Sequence, residues 1–246
     1  PASNGGRSGE SFGRPFSLEL CVAVVEGKTR LGRFYHGLCS KFLSQILPEK
    51  NPDSTRALQV WIQPGSFGRL PMEIVPGSSK FQVPILCIGA GTGVAPMRSL
   101  LLERDAVRTE VTGNYGRDVE DLDSNDNILV FGCRKETTDF YYRDEWDTLV
   151  STQRMRILTA FSRDQFQKIY VQKVLREADD GKLISKHILE RNGAVYIAGG
   201  PKMARDVKED IVEALAKELS GGEKAATTLL NKLQRIGKFS IEAWSQ

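Results

Sequence analysis

The sequence predicts an α/β fold, a doubly wound parallel sheet with helices on both faces. From Val83 onward, candidate strands alternate with candidate helices, the pattern that sets a parallel sheet between helical layers. The run 85–88 (ILCI) is apolar at every position, which suits a strand buried on both faces. The ends of the candidate strands, at 89–93, 132–134, 161–163 and 199–201, carry glycine, cysteine or basic residues. Ligands on such sheets bind beyond those carboxyl ends.

In chain order, residues 1–13 are rich in glycine and serine and read as a mobile tail or an opened loop. Residues 18–25 (LELCVAVV) read as a strand, buried in its latter half where alternation stops. Residues 38–46 read as a short helix entered through Gly37 and Ser40. Residues 58–62 give a second strand, ended by Pro64 and Gly65. The stretch 65–79 is dense in glycine, proline and serine and marks the expected boundary between domains at 1–79 and 80–246. Beyond the strand at 85–88 comes a helix over 97–107 and then a polar, acidic segment, 108–127, expected as a surface insertion. A strand at 128–131, a helix at 143–150 and a strand at 156–161 follow. Helices at 171–178 and 183–191 lead to a strand at 194–198. Helix 204–219 is strongly amphipathic, with Val207, Ile211, Leu215 and Leu219 on one face. A helix at 225–236 and a strand at 238–244 close the chain, which shows no internal repeat.

The 246 residues allow one large or two modest domains, and 40% hydrophobic with 26% charged residues is an ordinary globular mixture. A net charge of +3 is too small to argue for nucleic acid, so any basic site must be local. Cys21, Cys39, Cys87 and Cys133 show no C-x-x-C spacing, and Cys21 and Cys87 lie in apolar runs. That usage suggests reduced thiols in a cytosol-like compartment, not a disulfide frame or a zinc site. His36 and His187 leave little material for a histidine metal site or triad. No run is long and apolar enough to span a membrane. The chain begins at Pro1 without methionine and is read as a fragment.

The strand at 85–88 opens the most informative stretch. Gly89, Gly91 and Gly93 follow it, with Thr92 between the last two and Pro96 in what would be the first turn of a helix. This layout aims backbone N–H groups and a helix N-terminus at an anion, and glycine lets the main chain approach a phosphate. Two familiar motifs are excluded. A G-x-G-x-x-G fingerprint needs glycine where Val94 stands, and a P-loop needs a lysine, of which there is none between Lys80 and Lys135. Downstream, Ser162 and Arg163 close a strand, with Lys168, Tyr170 and Gln172 shortly after. Arginine offers a planar donor fork for phosphate, lysine a point charge, serine a hydroxyl, and tyrosine a face for a flat base. Together they suit a phosphorylated ribose and its adenine.

Four separated motifs then carry a family resemblance. FGCR with DFYYRDEW (131–146), AFSRDQFQKIYVQ (160–172), VYIAGGPKMARDV (195–207) and GKFSIEAWSQ (237–246) resemble, in order and spacing, the NADPH-binding half of the diflavin reductases. Within that family the chain is most similar to the cytosolic branch of iron–sulfur protein assembly, whose members pass electrons to an anamorsin-type Fe–S protein. The resemblance implies NADPH and FAD as cofactors, FMN in a separate domain of the same enzyme, and no metal, membrane or nucleic acid. It implies that Gly91, Thr92 and Gly93 hold the pyrophosphate, with Arg134 near the phosphates. Ser162, Arg163, Lys168, Tyr170 and Gln172 would hold the 2′-phosphate and base, and Asp206 is carried over as a further cofactor-binding position. Cys133 would lie near the nicotinamide, Glu242 would be the acid beside it, and Trp244 would stack on the flavin.

Three departures weaken transfer of the hydride-transfer machinery but leave nucleotide binding intact. Ala198 stands where many relatives have a catalytic cysteine, Gly200 where many have aspartate, and Glu242 where aspartate is usual. The first eighty residues resemble the end of the family's FAD-binding barrel, a partial antiparallel segment. There Gly37, Cys39 and Ser40 match the helix start that meets the FAD pyrophosphate. The RPFS run at 14–17 only superficially matches the flavin-contacting pattern, because no further strand separates it from 18–25. Two other readings stay open. One is a single-flavin ferredoxin–NADP reductase type of enzyme, against which the Trp244 ending argues. The other is a nucleotide-binding module without turnover, which Ala198 and the incomplete barrel keep open.

Overall fold

A computed structural model describes residues 19–46, 59–61, 63, 65–114 and 121–244. These fall into two compact units, one within 19–65 and one over 66–244.

In the smaller unit, β1 (Glu26–Lys28) pairs antiparallel with β2 (Phe34–His36), and α1 (Leu38–Ser44) follows. The strand expected at 18–25 is not formed over 19–25, and Leu20, Val22, Val24 and Val25 are exposed. An apolar run is buried only by a layer packed on it. The described residues 19–46 supply two three-residue strands and a seven-residue helix, none with a buried side chain. Residues 59–61 form no strand, and Leu58 and Ile62 lie outside the described residues, as do 1–18.

The larger unit is the expected doubly wound sheet. Its strands are β3 (Ile85–Ala90), β4 (Asn127–Cys133), β5 (Arg156–Phe161), β6 (Ala194–Gly199) and β7 (Phe239–Ala243). They lie in the order β5-β4-β3-β6-β7 with every neighbouring pair parallel. The helices are α2 (Val94–Asn114), α3 (Glu136–Asp139), α4 (Arg143–Ser151), α5 (Val171–Glu177), α6 (Leu183–Ser185), α7 (Pro201–Glu218) and α8 (Gly222–Arg235). α6 runs on into a single π turn at Lys186–Glu190.

Strand alternation divides the core in two. Leu86, Ile88, Ile128, Val130, Val195 and Ile197 face α5 to α8, meeting Val171, Leu175, Val207, Ile211, Leu215 and Leu230. Ile85, Cys87, Leu129, Phe131, Tyr196 and Ala198 face the other way, onto Val94, Met97 and Leu101 of α2 and Trp146 and Leu149 of α4. The chain winds outward from β3 through β4 to β5, then returns across the sheet to β6 and β7. β3 and β6 are therefore neighbours whose connections leave in opposite directions, and such a switch point opens a crevice at the carboxyl edge.

Of the segment 108–127 expected as a surface insertion, residues 108–114 continue a helix and 126–127 are buried, while 115–120 lie outside the described residues. α2 continues through Arg108 to Asn114, and Arg104, Arg108, Thr112, Asp126 and Asn127 are buried. Arg104 donates to Asn127 Oδ1 at 2.7 Å and to Val83 O at 3.1 Å, with its guanidinium 3.6 Å from the Phe81 ring. Arg108 meets Asp126 at 3.3 Å, and Arg191 reaches Asp123 at 2.6 Å and Asp126 at 3.1 Å. Burial brings the Arg104 guanidinium down to about 9, which Asp126 partly offsets. Charges read as solvated are folded inward here because each finds a partner.

Candidate functional site

The site is built around the turn that joins β3 to α2. Gly91–Gly93 make one 3₁₀ turn, with Gly91 at φ 57°, in the left-handed region where side chains are strained. A Cβ on Gly93 would stand 2.2 Å from the carbonyl oxygen of Ala198. Glycine at 93 thus lets the turn lie directly on the end of β6. α7 begins at that same edge, capped by Gly200 with Pro201 in its first turn. Two long helices, α2 and α7, therefore start from neighbouring strands at the switch point; the first N–H of α2, on Val94, donates back to Gly91 O and Thr92 O, which leaves the Gly91–Gly93 turn as the leading edge of that helix.

β7 supplies the next residues. Glu242 pairs in register with Ala198, and the backbone N–H of Trp244 donates to Gly199 O at 3.2 Å. Glu242 and Trp244 are both half-buried, and the indole packs against the core layer that holds Ala198. Structure thus gathers Gly93, Ala198, Glu242 and Trp244 at one place. The Ala198 side chain is fully buried, so the position carries no reactive group.

On the other side of β3, the ends of β4 and β5 are tied together. Ser162 N donates to Cys133 O at 3.0 Å and Arg163 N to Arg134 O at 2.8 Å. Cys133 is buried, with its thiol 3.6 Å from Lys135 O. Burial first, then Asp139, Asp164 and Glu136, push it up to about 12, so it stays a neutral thiol at physiological pH and is no nucleophile. Arg134, Arg163 and Lys168 are exposed, and no carboxylate among the described residues pairs with them. The acids nearby are taken: Glu136 holds Arg143 at 2.8 Å, Asp164 accepts from Glu136 N at 2.8 Å, and Asp139 accepts from Lys135 N at 3.0 Å.

Lys168, Tyr170, Gln172 and Asp206 line one cleft of about 440 Å³. Ser162, Arg163 and Arg134 do not line it; they sit at the tied ends of β4 and β5. The Asp206 carboxylate is held low by Arg205 at 3.0 Å and then Lys202 at 3.4 Å, so it stays ionised with two cations beside it. Lys173, Arg176, Glu209 and Asp210 complete the lining and were missed by the sequence reading. Arg176 stands four residues beyond Gln172 on α5, a spacing that could have placed it on the same face. The partner it meets, Asp210 at 2.9 Å, comes from α7 and had no sequence signal.

Gly37, Cys39 and Ser40 belong to the smaller unit. Ser40 Oγ accepts from Val25 N at 3.0 Å and donates to Gly37 O at 3.3 Å, while Gly37 N donates to Val25 O at 2.8 Å. The hydroxyl expected to meet a phosphate is engaged within its own unit. Among the described residues, no group of three or more His, Cys, Asp or Glu side chains is placed to hold a metal. No helix among them is long and apolar enough to cross a membrane.

A doubly wound sheet with a glycine turn and two helix starts at its switch point defines a dinucleotide-binding α/β domain. Comparison with known proteins gives the particular family: the oxidoreductase NAD-binding domain matches residues 87–209, and the chain belongs to it. It is 35% identical over 232 residues to NADPH-dependent diflavin oxidoreductase 1 of Danio rerio, covering 94% of this chain and 34% of that protein. The corresponding mouse protein is 36% identical over 237 residues, with the same coverage of 94% and 34%. NADPH–cytochrome P450 reductase of Musca domestica is 34% identical over 233 residues, 94% of this chain and 31% of that protein. The chain spans about a third of the length of these relatives. The resemblance to diflavin reductases read from the four motifs holds across nearly the whole chain.

Proposed function

We propose that this chain is the NADPH-binding part of a diflavin-type oxidoreductase. The observation that carries the reading is the Gly91–Gly93 turn seated on Ala198, on a sheet whose β4 and β5 ends run into three exposed cations, Arg134, Arg163 and Lys168, with no acidic partner among the described residues. The residues present fit NADPH. Backbone N–H groups at Gly91, Thr92 and Gly93 would take the pyrophosphate, with Arg134 near. Arg163, Lys168 and the Ser162 hydroxyl would take the 2′-phosphate. Tyr170 and Gln172 would receive the adenine, with Asp206 in the wall. At the other end, Glu242 and Trp244 would flank the place for the nicotinamide; Cys133, buried at the end of β4 with two strands between it and β7, stands apart from them.

NADPH supplies a hydride when bound; the chain's residues position it and exclude water. FAD is a different matter. The Ser40 hydroxyl is engaged by Val25 N and Gly37 O and would have to leave Gly37 O to donate to a flavin pyrophosphate. No step through the flavin is derived from them. For the intact protein, the names of the relatives and the motif resemblance support FAD and an FMN domain of the same enzyme as the route onward. They support, as the branch-level reading, an anamorsin-type Fe–S protein as acceptor in cytosolic Fe–S assembly.

The test is a double variant, Arg163→Ala with Lys168→Ala. A charge-assisted hydrogen bond contributes about 1.5–3 kcal/mol, so losing both should weaken NADPH binding roughly a hundredfold or more. NADH binding should barely change. Equal losses for both nucleotides in calorimetric titration would show that these cations do not read the 2′-phosphate.

A further inference from the structure

One residue of the β5–α5 connection has no part in the site so far. Phe166 lies between Arg163 and Lys168, and its side chain is as exposed as in an isolated peptide, at 104%. The next most exposed large apolar side chain described in the larger unit, Ile236, reaches 58%. The chain leading into Phe166 is anchored. Ser162 and Arg163 donate to the end of β4, Asp164 accepts from Glu136 N, and the Gln165 amide reaches Phe161 O. The connection therefore holds the ring out into water on an anchored frame. Among the described residues no aromatic ring and no cation lies against it.

Exposing a phenyl ring fully to water is unfavourable, and this connection bears it beside Arg163 and Lys168, two cations without counter-ions. Four residues on, Tyr170 presents a second ring that is 52% exposed. Phe166 is not part of the cleft lining itself; a ligand that satisfies all of these groups carries an anionic group and a flat base with a free π-face that reaches beyond the cleft. We propose that Phe166 is a second aromatic wall of the adenine site, covering the face of the base that Tyr170 leaves open. This rests on the nucleotide reading of the cleft given above and adds to it a specificity-determining residue: the site selects for an aromatic base as well as for the 2′-phosphate.

Base–aromatic stacking is strong enough that alanine substitution should read as a roughly 5- to 150-fold loss of affinity. The experiment is calorimetric titration of the chain with adenosine 2′,5′-bisphosphate, comparing the unmodified protein with Phe166→Ala and Phe166→Trp. The expected result is a loss of that size for Phe166→Ala and recovery to within a few-fold for Phe166→Trp. Because the side chain packs on nothing, neither variant should alter the thermal midpoint. If the unmodified chain binds the probe and Phe166→Ala binds it equally well, the second wall is overturned while the site stands. A loss that tryptophan does not restore also overturns it. If the unmodified chain does not bind the probe at all, the nucleotide reading itself fails, and this inference with it.

Discussion

Gly93 shows how a single residue can be legible in its pattern and hidden in its reason. The triple-glycine run after an apolar strand marks a tight strand-to-helix turn, and β3, Gly91–Gly93 and α2 form one. That the glycine must clear the carbonyl of Ala198, far along the chain, follows only from β3 and β6 being neighbours. His187 was less legible still. The sequence offered it as one of two histidines with nothing to bind. In the fold it is buried, its Nε2 is 3.0 Å from Ala194 O, and its Nδ1 has no partner. Burial takes its pKa from the ordinary 6.5 down to about 4. The unfolded chain then binds a proton more readily than the native one between those values. Its contribution is fully present above about pH 6.5 and is lost as pH falls towards 4. We expect His187→Phe, which keeps an aromatic ring without a titrating nitrogen, to show a flatter decline in unfolding free energy between pH 7 and 4.5. An unchanged slope in denaturant titrations would mean that His187 is not the group responsible.

At the scale of elements, the strands of the parallel sheet are legible to within a residue or two, the edge strand β5, where only Ala160 is buried, as well as the buried ones. The expected span 156–161 coincides with β5, and β3, β4 and β6 differ by a residue or two at their ends. The apolar run 18–25 was misread because absence of alternation signals burial only when another layer covers the strand. α2 was read too short for the opposite reason. Arg104 and Arg108 look like a solvated end, yet they point inward to Asn127 and Asp126. The same helix is fastened at its other end. Arg98 makes two hydrogen bonds to Glu145, at 2.6 and 2.7 Å, and lies 4.5 Å from the Tyr142 ring. This clamp fixes the start of α2, and hence the glycine turn, against α4. Glu145→Ala removes both bonds and should cost about 1–3 kcal/mol of stability. The loss should appear as a lowered thermal midpoint together with weaker NADPH binding. A variant with wild-type stability and affinity would show the clamp to be incidental.

For the whole molecule, the alternating pattern predicted the parallel sheet, but the strand order that creates the switch point was not in the pattern. Contacts between α5 and α7, which build the cleft, were likewise absent from it because they join helices from separate halves of the sheet. The cleft and the glycine turn make one claim together: this chain recognises a dinucleotide by its pyrophosphate and discriminates by its 2′-phosphate. The most direct measurement is a paired calorimetric titration of the unmodified chain with NADPH and with NADH. Two charge-assisted contacts at about 1.5–3 kcal/mol each predict NADPH tighter by roughly a hundredfold or more, with the advantage shrinking as salt is raised. Equal affinity for the two nucleotides, or no binding of either, would contradict the account.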